Sequence, residues 1–211
     1  MIKWIKQLAQ KTQNAQKEEA PAETAVTRET NTPNTQKIIE LASVLSDNDT
    51  GFIELLSLYA EDQTIDFKAR FKSILDEDQQ EELEGVYFED IENIVQEGLI
   101  CLGYMGANDW KFPLEDMLFN LQKAFEHYGL DISVYDDIPN KGELCAPGAL
   151  QLITERLPSD FGLGMWDFGE DSWILIVAPK ANLLLAEKLG KELGFPIYSS
   201  CIDYCNEFNI T

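Results

Sequence analysis

The sequence predicts an α+β fold: an N-terminal helical half, followed by a small mixed β-sheet with helices packed on one face of it. Three observations lead there. Apolar residues recur at helical spacing between Ile38 and Leu102. Beyond Pro113, helix-period stripes are interleaved with short runs rich in β-branched and aromatic residues, the pattern of helices and strands sharing a core. Two of those runs, 162–168 and 172–178, flank Gly169 and Asp171 as the arms of a hairpin would.

In chain order, residues 1–11 (MIKWIKQLAQK) read as a two-sided helix. At about 100° per residue, Ile2, Trp4, Ile5 and Leu8 fall with Met1 and Ala9 on one half of the wheel, and Lys3, Lys6, Gln7, Gln10 and Lys11 on the other. Residues 12–34 hold Val26 as their only sizeable apolar side chain. Such a segment cannot bury enough surface to offset its ordering entropy, so it reads as a flexible linker with a span of about 25–30 Å. Residues 35–211 read as a single acidic globular domain, with a helical part at 35–104 and an α+β part at 105–211.

Thr35 is the expected cap of a helix carrying Ile38, Leu41, Ala42 and Leu45. Asp49 or Thr50 caps the next, with Phe52, Leu55, Leu56 and Tyr59 on one face, and a shorter helix covers 65–75. The acidic run 76–84 is an exposed connection or the start of another helix, and Ile91, Ile94, Val95, Leu99 and Leu102 continue the spacing to Gly103. Pro113 opens a well-marked helix. Glu115 and Asp116 lie in its first turn, where the dipole favours anions, and Leu114, Met117, Leu118, Leu121, Phe125 and Tyr128 form its stripe, with Gly129 as the stop. There follow a strand at 130–135, a helix at 149–157 ended by Pro158, the hairpin, a helix from Pro179 to Gly194, and a last strand at 196–199.

The formal net charge is −22, and it is unevenly spread. Up to residue 34, Lys3, Lys6, Lys11, Lys17 and Arg28 offset Glu18, Glu19, Glu23 and Glu29, so the imbalance belongs to the remaining chain. A body of that sign repels phosphate backbones, which argues against nucleic acid as a partner. No secretory signal pattern is read, and no stretch approaches the roughly 20 apolar residues of a membrane span. With Cys101, Cys145, Cys201 and Cys205 in mostly apolar or glycine/proline-flanked contexts, the expected compartment is the cytoplasm, with reduced thiols.

Reaction chemistry is thinly represented. His127 is the only histidine, and at the C-terminal end of its helix a cation simply complements the dipole. Cys201 and Cys205 are spaced to share one face of a helix and read as small buried hydrophobes, since no familiar zinc spacing accompanies them. No catalytic residue, cofactor or metal site is assigned. Residues 165–173 (MWDFGEDSW) form the densest polar–aromatic cluster. Asp167, Glu170 and Asp171 could gather a hard cation at a hairpin mouth, and Asp167, Asp171 and Trp173 count as candidate ligand residues, although turn chemistry explains the glycine and aspartates without any ligand. Asp109 and Trp110, ahead of the Pro113 helix, complete the candidate ligand residues, with Trp110 also readable as a core anchor.

These features resemble a known family. Asp109, Trp110 and Lys111 precede a helix with Leu118 and Leu121. Then come Asp167, Gly169, Asp171, Ser172 and Trp173, an apolar strand at 174–177, and a helix ending near Leu193 and Gly194. Over roughly residues 100–198 the chain is similar to an uncharacterised bacterial family, domain-of-unknown-function family 6630. That resemblance implies a cytoplasmic bacterial α+β protein and carries no known activity.

The functional expectation is a non-enzymatic cytosolic interaction or regulatory module, of the kind found among immunity proteins. Its opening helix would dock, through Ile2, Trp4, Ile5 and Leu8, on a protein partner or weakly on a membrane surface. The same face could instead pack on the protein's own body. The alternative is a divalent-metal-dependent enzyme using the carboxylates of the 165–173 hairpin.

Overall fold

The computed structural model describes residues 33–109, 111–167 and 172–210. The opening helix with Ile2, Trp4, Ile5 and Leu8, nearly all of the linker, and the candidate residues Trp110, Glu170 and Asp171 lie outside the described residues.

The helical half contains α1 (Pro33–Leu45), α2 (Thr50–Glu61), α3 (Phe67–Lys72), α4 (Glu77–Glu82) and α5 (Ile91–Cys101). Aspartates start four of them. Asp49, Asp66, Asp76 and Asp90 accept hydrogen bonds from the backbone amides of Phe52, Ala69, Gln79 and Asn93. Caps of this kind stabilise by about 1 kcal/mol each, so part of the acidity is spent on helix starts. The first helix begins at Pro33, ahead of the expected Thr35 cap, because proline's missing N–H costs nothing in a first turn.

The second half contributes β1 (Met105–Asp109), α6 (Leu114–His127), α7 (Gly148–Arg156), β2 (Phe161–Asp167), β3 (Ser172–Pro179), α8 (Lys180–Leu193), β4 (Ile197–Tyr198) and α9 (Cys201–Glu207). The α+β expectation holds, and the hairpin arms and the Pro113 and Pro179 helices stand where they were expected. Three details differ. The sheet, in the order β1-β3-β2-β4, is antiparallel at every pairing rather than mixed. Residues 130–135 are not a strand: Asp131 accepts the Ser133 amide and winds Ile132–Tyr135 into a 3-10 turn. β1 was not expected at all.

Helices also cover both faces of the sheet, not one. Met105, Trp166, Ile174, Ile176 and Ala178 pack with the residues of α1, α2, α5 and α8, whereas Leu163, Met165, Trp173, Leu175 and Val177 pack with those of α6, α7 and α9. Two-sided burial is why β3 reads as an unbroken apolar run rather than an alternating one. Two glycines set the closeness of the layers. A Cβ on Gly164 would lie 2.8 Å from Leu183 Cδ2 of α8, and one on Gly106 would lie 2.8 Å from the Asn120 carbonyl oxygen of α6. Among the described residues, no helix is long and apolar enough to cross a membrane.

Candidate functional site

Most candidate ligand residues fall at the hairpin end. Register places Asn108, Trp173 and Asp167 in one row across β1, β3 and β2. Trp173 is only 4% exposed and meets the Tyr204 ring edge-on, with 6.0 Å between centroids. Tyr204 donates its hydroxyl to Asp167 Oδ2 at 2.9 Å, which fastens α9 to the end of β2. Burial, then the hydrogen bond and charge of Asp167, push the Tyr204 phenol above its ordinary range. Asp109 sits in the next row, opposite Ser172, so strand alternation sends its Cβ to the other face from Asp167. Its Oδ1 accepts the Lys111 amide at 2.8 Å. The structure therefore brings Trp173 and Asp167 together but leaves Asp109 apart. Among the described residues, no group of three His, Cys, Asp or Glu side chains could hold a metal ion.

Of the other sequence candidates, the α9 cysteines are packing groups and His127 is exposed. Cys201 and Cys205 share the inner face of α9 and are buried; burial pushes the Cys201 thiol up to about 12, which keeps it protonated and unreactive. The His127 ring stands edge-on to Tyr104 and Tyr128, at 4.5 and 4.8 Å between centroids. Tyr104 in turn donates to Asp49 Oδ2 at 3.0 Å, tying the start of α2 to the loop before β1.

A concave site lies instead at the open edge of the sheet. Among the described residues, β1 is the terminal strand and pairs only with β3. Because Gly106 has no side chain, α6 approaches closely. There Asn120 Nδ2 donates to the Ala107 carbonyl at 2.9 Å and to Asn108 Oδ1 at 3.0 Å, while Asn108 Nδ2 donates to the Gly106 carbonyl at 2.8 Å. These bonds give two carbonyls of β1 a side-chain donor. Outside them runs a groove of about 570 Å³, with Ile100, Met105 and Phe112 among its lining and Phe119 at its side. Phe119 is 62% exposed. Asp78, Asp116 and Glu126 also line the groove, together with Gln122 and Lys123. That volume is within the roughly 300–1,000 Å³ of small-ligand sites and admits a few large side chains, not a whole helix.

The family model for a domain of unknown function, DUF6630, matches residues 37–200. The chain belongs to the DUF6630 family. Neither a curated protein nor a solved structure matches it. The DUF6630 match runs from α1 to Ser200, the N-cap of α9, so it takes in the helical half as well as the expected 100–198. Apolar spacing in that half is generic, which is why the resemblance was visible only downstream. The groove lies wholly inside the DUF6630 domain, and residues 1–11 lie outside it.

None of the groove residues was a sequence candidate. One signal was readable. The α6 stripe of Leu114, Met117, Leu118, Leu121 and Phe125 is buried, and Phe119 falls off it, an aromatic on the polar side of an amphipathic helix.

Proposed function

We propose that this protein is a non-enzymatic interaction module of the bacterial cytoplasm, which holds a basic, apolar protein segment in the groove between β1 and α6. The observation carrying this reading is Phe119, a large aromatic exposed beside apolar Ile100, Met105 and Phe112 and among the carboxylates of Asp78, Asp116 and Glu126. Protein-binding surfaces combine apolar with charged groups, and aromatic side chains are over-represented where such surfaces bind most strongly. Three carboxylates against Lys123 give the lining a negative balance, which selects for lysine- or arginine-bearing segments and steers their approach. A regulatory or immunity-type role fits such a surface, because acidic inhibitors meet basic targets in this way.

The test is a polarisation titration of the full-length Trp4→Ser, Ile5→Ser variant, whose own opening segment no longer competes for the groove, with a panel of labelled basic amphipathic peptides. At least one is expected to bind, more weakly as salt rises, with Phe119→Ser weakening it by roughly tenfold. If every peptide fails to bind, or if binding ignores both Phe119→Ser and replacement of the peptide's lysines by glutamate, the groove is not the site.

A further inference from the structure

We infer that the occupant of the β1–α6 groove is residues 1–11 of the same chain, docked within the molecule. This inference rests on reading the groove as a site for a basic apolar segment. The match is chemical on two counts. Trp4 and Ile5, with Ile2 and Leu8 beside them in the helical pattern, supply the large apolar groups that the lining of Ile100, Met105, Phe112 and Phe119 accepts. Lys3, Lys6 and Lys11 face Asp78, Asp116 and Glu126 in sign. The groove's size favours insertion of a couple of side chains, with the lysine-bearing side left toward the carboxylates.

Charge also separates this occupant from a lipid surface. Residues 1–34 carry a balance of +1, so the chain beyond residue 34 holds more than the whole net −22. An anionic membrane would have to hold the basic segment against repulsion of the attached body, whereas docking on that body relieves the imbalance. Reach is sufficient. Residues 12–32, fully extended, cover about 70 Å, and a domain of this size is on the order of 40 Å across. Attachment raises the effective concentration to the order of millimolar, so a contact too weak to survive between separate molecules is still well populated within one.

The experiment is zero-length carbodiimide cross-linking of the full chain, as an equal mixture of unlabelled and nitrogen-15 protein, followed by peptide mapping. Expected are links from Lys3 or Lys6 to Asp116 or Glu126 in peptides of a single isotopic origin. Their yield should fall by roughly tenfold in Phe119→Ser and in the double variant Trp4→Ser, Ile5→Ser, with the thermal melt of both variants unchanged. Mixed-isotope links would make a second copy the occupant and overturn the inference. So would links scattered over other carboxylates and indifferent to Phe119→Ser, or loss of the links on adding phosphatidylglycerol vesicles. If the links are missing while synthetic basic peptides still bind in a Phe119-dependent way, the groove reading stands and this inference alone fails.

Discussion

The hairpin end and the open edge of the sheet hold similar ingredients, aromatic rings beside carboxylates, and use them in opposite ways. At the hairpin end, Trp173 is buried, Tyr204 packs against it, and Asp167 receives the Tyr204 hydroxyl. Asp167 and Tyr204 there serve each other. At the β1 edge, Phe119 stands exposed while Asp78, Asp116 and Glu126 share the groove with it. The difference teaches that a dense polar–aromatic stretch reports how much a region must pack, whereas availability for a partner depends on which side chains the packing leaves over.

The largest expected effect comes from truncating one aromatic in each region. Trp173→Ala removes a buried ring between two layers and should cost about 3–5 kcal/mol, read as a lower urea midpoint with unchanged slope. Phe119→Ala should stay within about 0.5 kcal/mol, since little of its surface is withdrawn from water. Equal losses at the two positions would mean that Phe119 supports the fold, and the contrast between the regions would break.

The same contrast explains what the sequence could disclose. Elements with a strong local cause were legible. Pro113 and Gly129 bracket α6, Asp49 caps α2, Gly194 with φ of 83° ends α8, and the apolar runs form β2 and β3. β1 was not, because Gly106, Asn108 and Asp109 are poor strand formers. They are held extended by pairing to β3 and by the Asn120 side chain, both far away in sequence. The groove shared that fate: it exists only once β1 is at the edge and α6 lies against it. Likewise Asp109 and Asp167 looked like partners until the register put them in adjacent rows that face opposite sides.

An intermediate effect is expected where the groove is built. A Cβ at Gly106 would sit 2.8 Å from the Asn120 carbonyl and 3.2 Å from Leu121 Cδ2. Backbone cannot swing away as a side-chain tip does, so Gly106→Ala must push α6 off the sheet, at about 1–3 kcal/mol. The displacement would also stretch the Asn120 bonds to Ala107 and Asn108. Peptide binding in the groove should therefore fall along with the urea midpoint. A variant that lost stability and kept full binding would show that the closeness of α6 does not shape the groove.

The smallest effect sharpens the hairpin side of the comparison. Tyr204→Phe keeps the ring and removes the hydroxyl that Asp167 accepts, a loss of about 0.5–1.5 kcal/mol for one intramolecular hydrogen bond. Its pH dependence has a definite sign. Burial, and then Asp167, raise the Tyr204 phenol above its ordinary value of 10.0 in the folded protein. Unfolded chains thus release this proton first as the solution becomes alkaline, and the stability tied to the phenol, complete below pH 10, drains away as pH climbs toward the folded value. Tyrosines 104, 128 and 135 are raised as well, so the wild type should weaken steeply in alkali. Tyr204→Phe should start lower at neutral pH and lose less there, so that the gap between the two urea midpoints narrows above pH 10. A gap that stayed constant, or widened, would mean that the hydroxyl is not committed to Asp167. The hairpin end would then be as open to a ligand as the β1 edge.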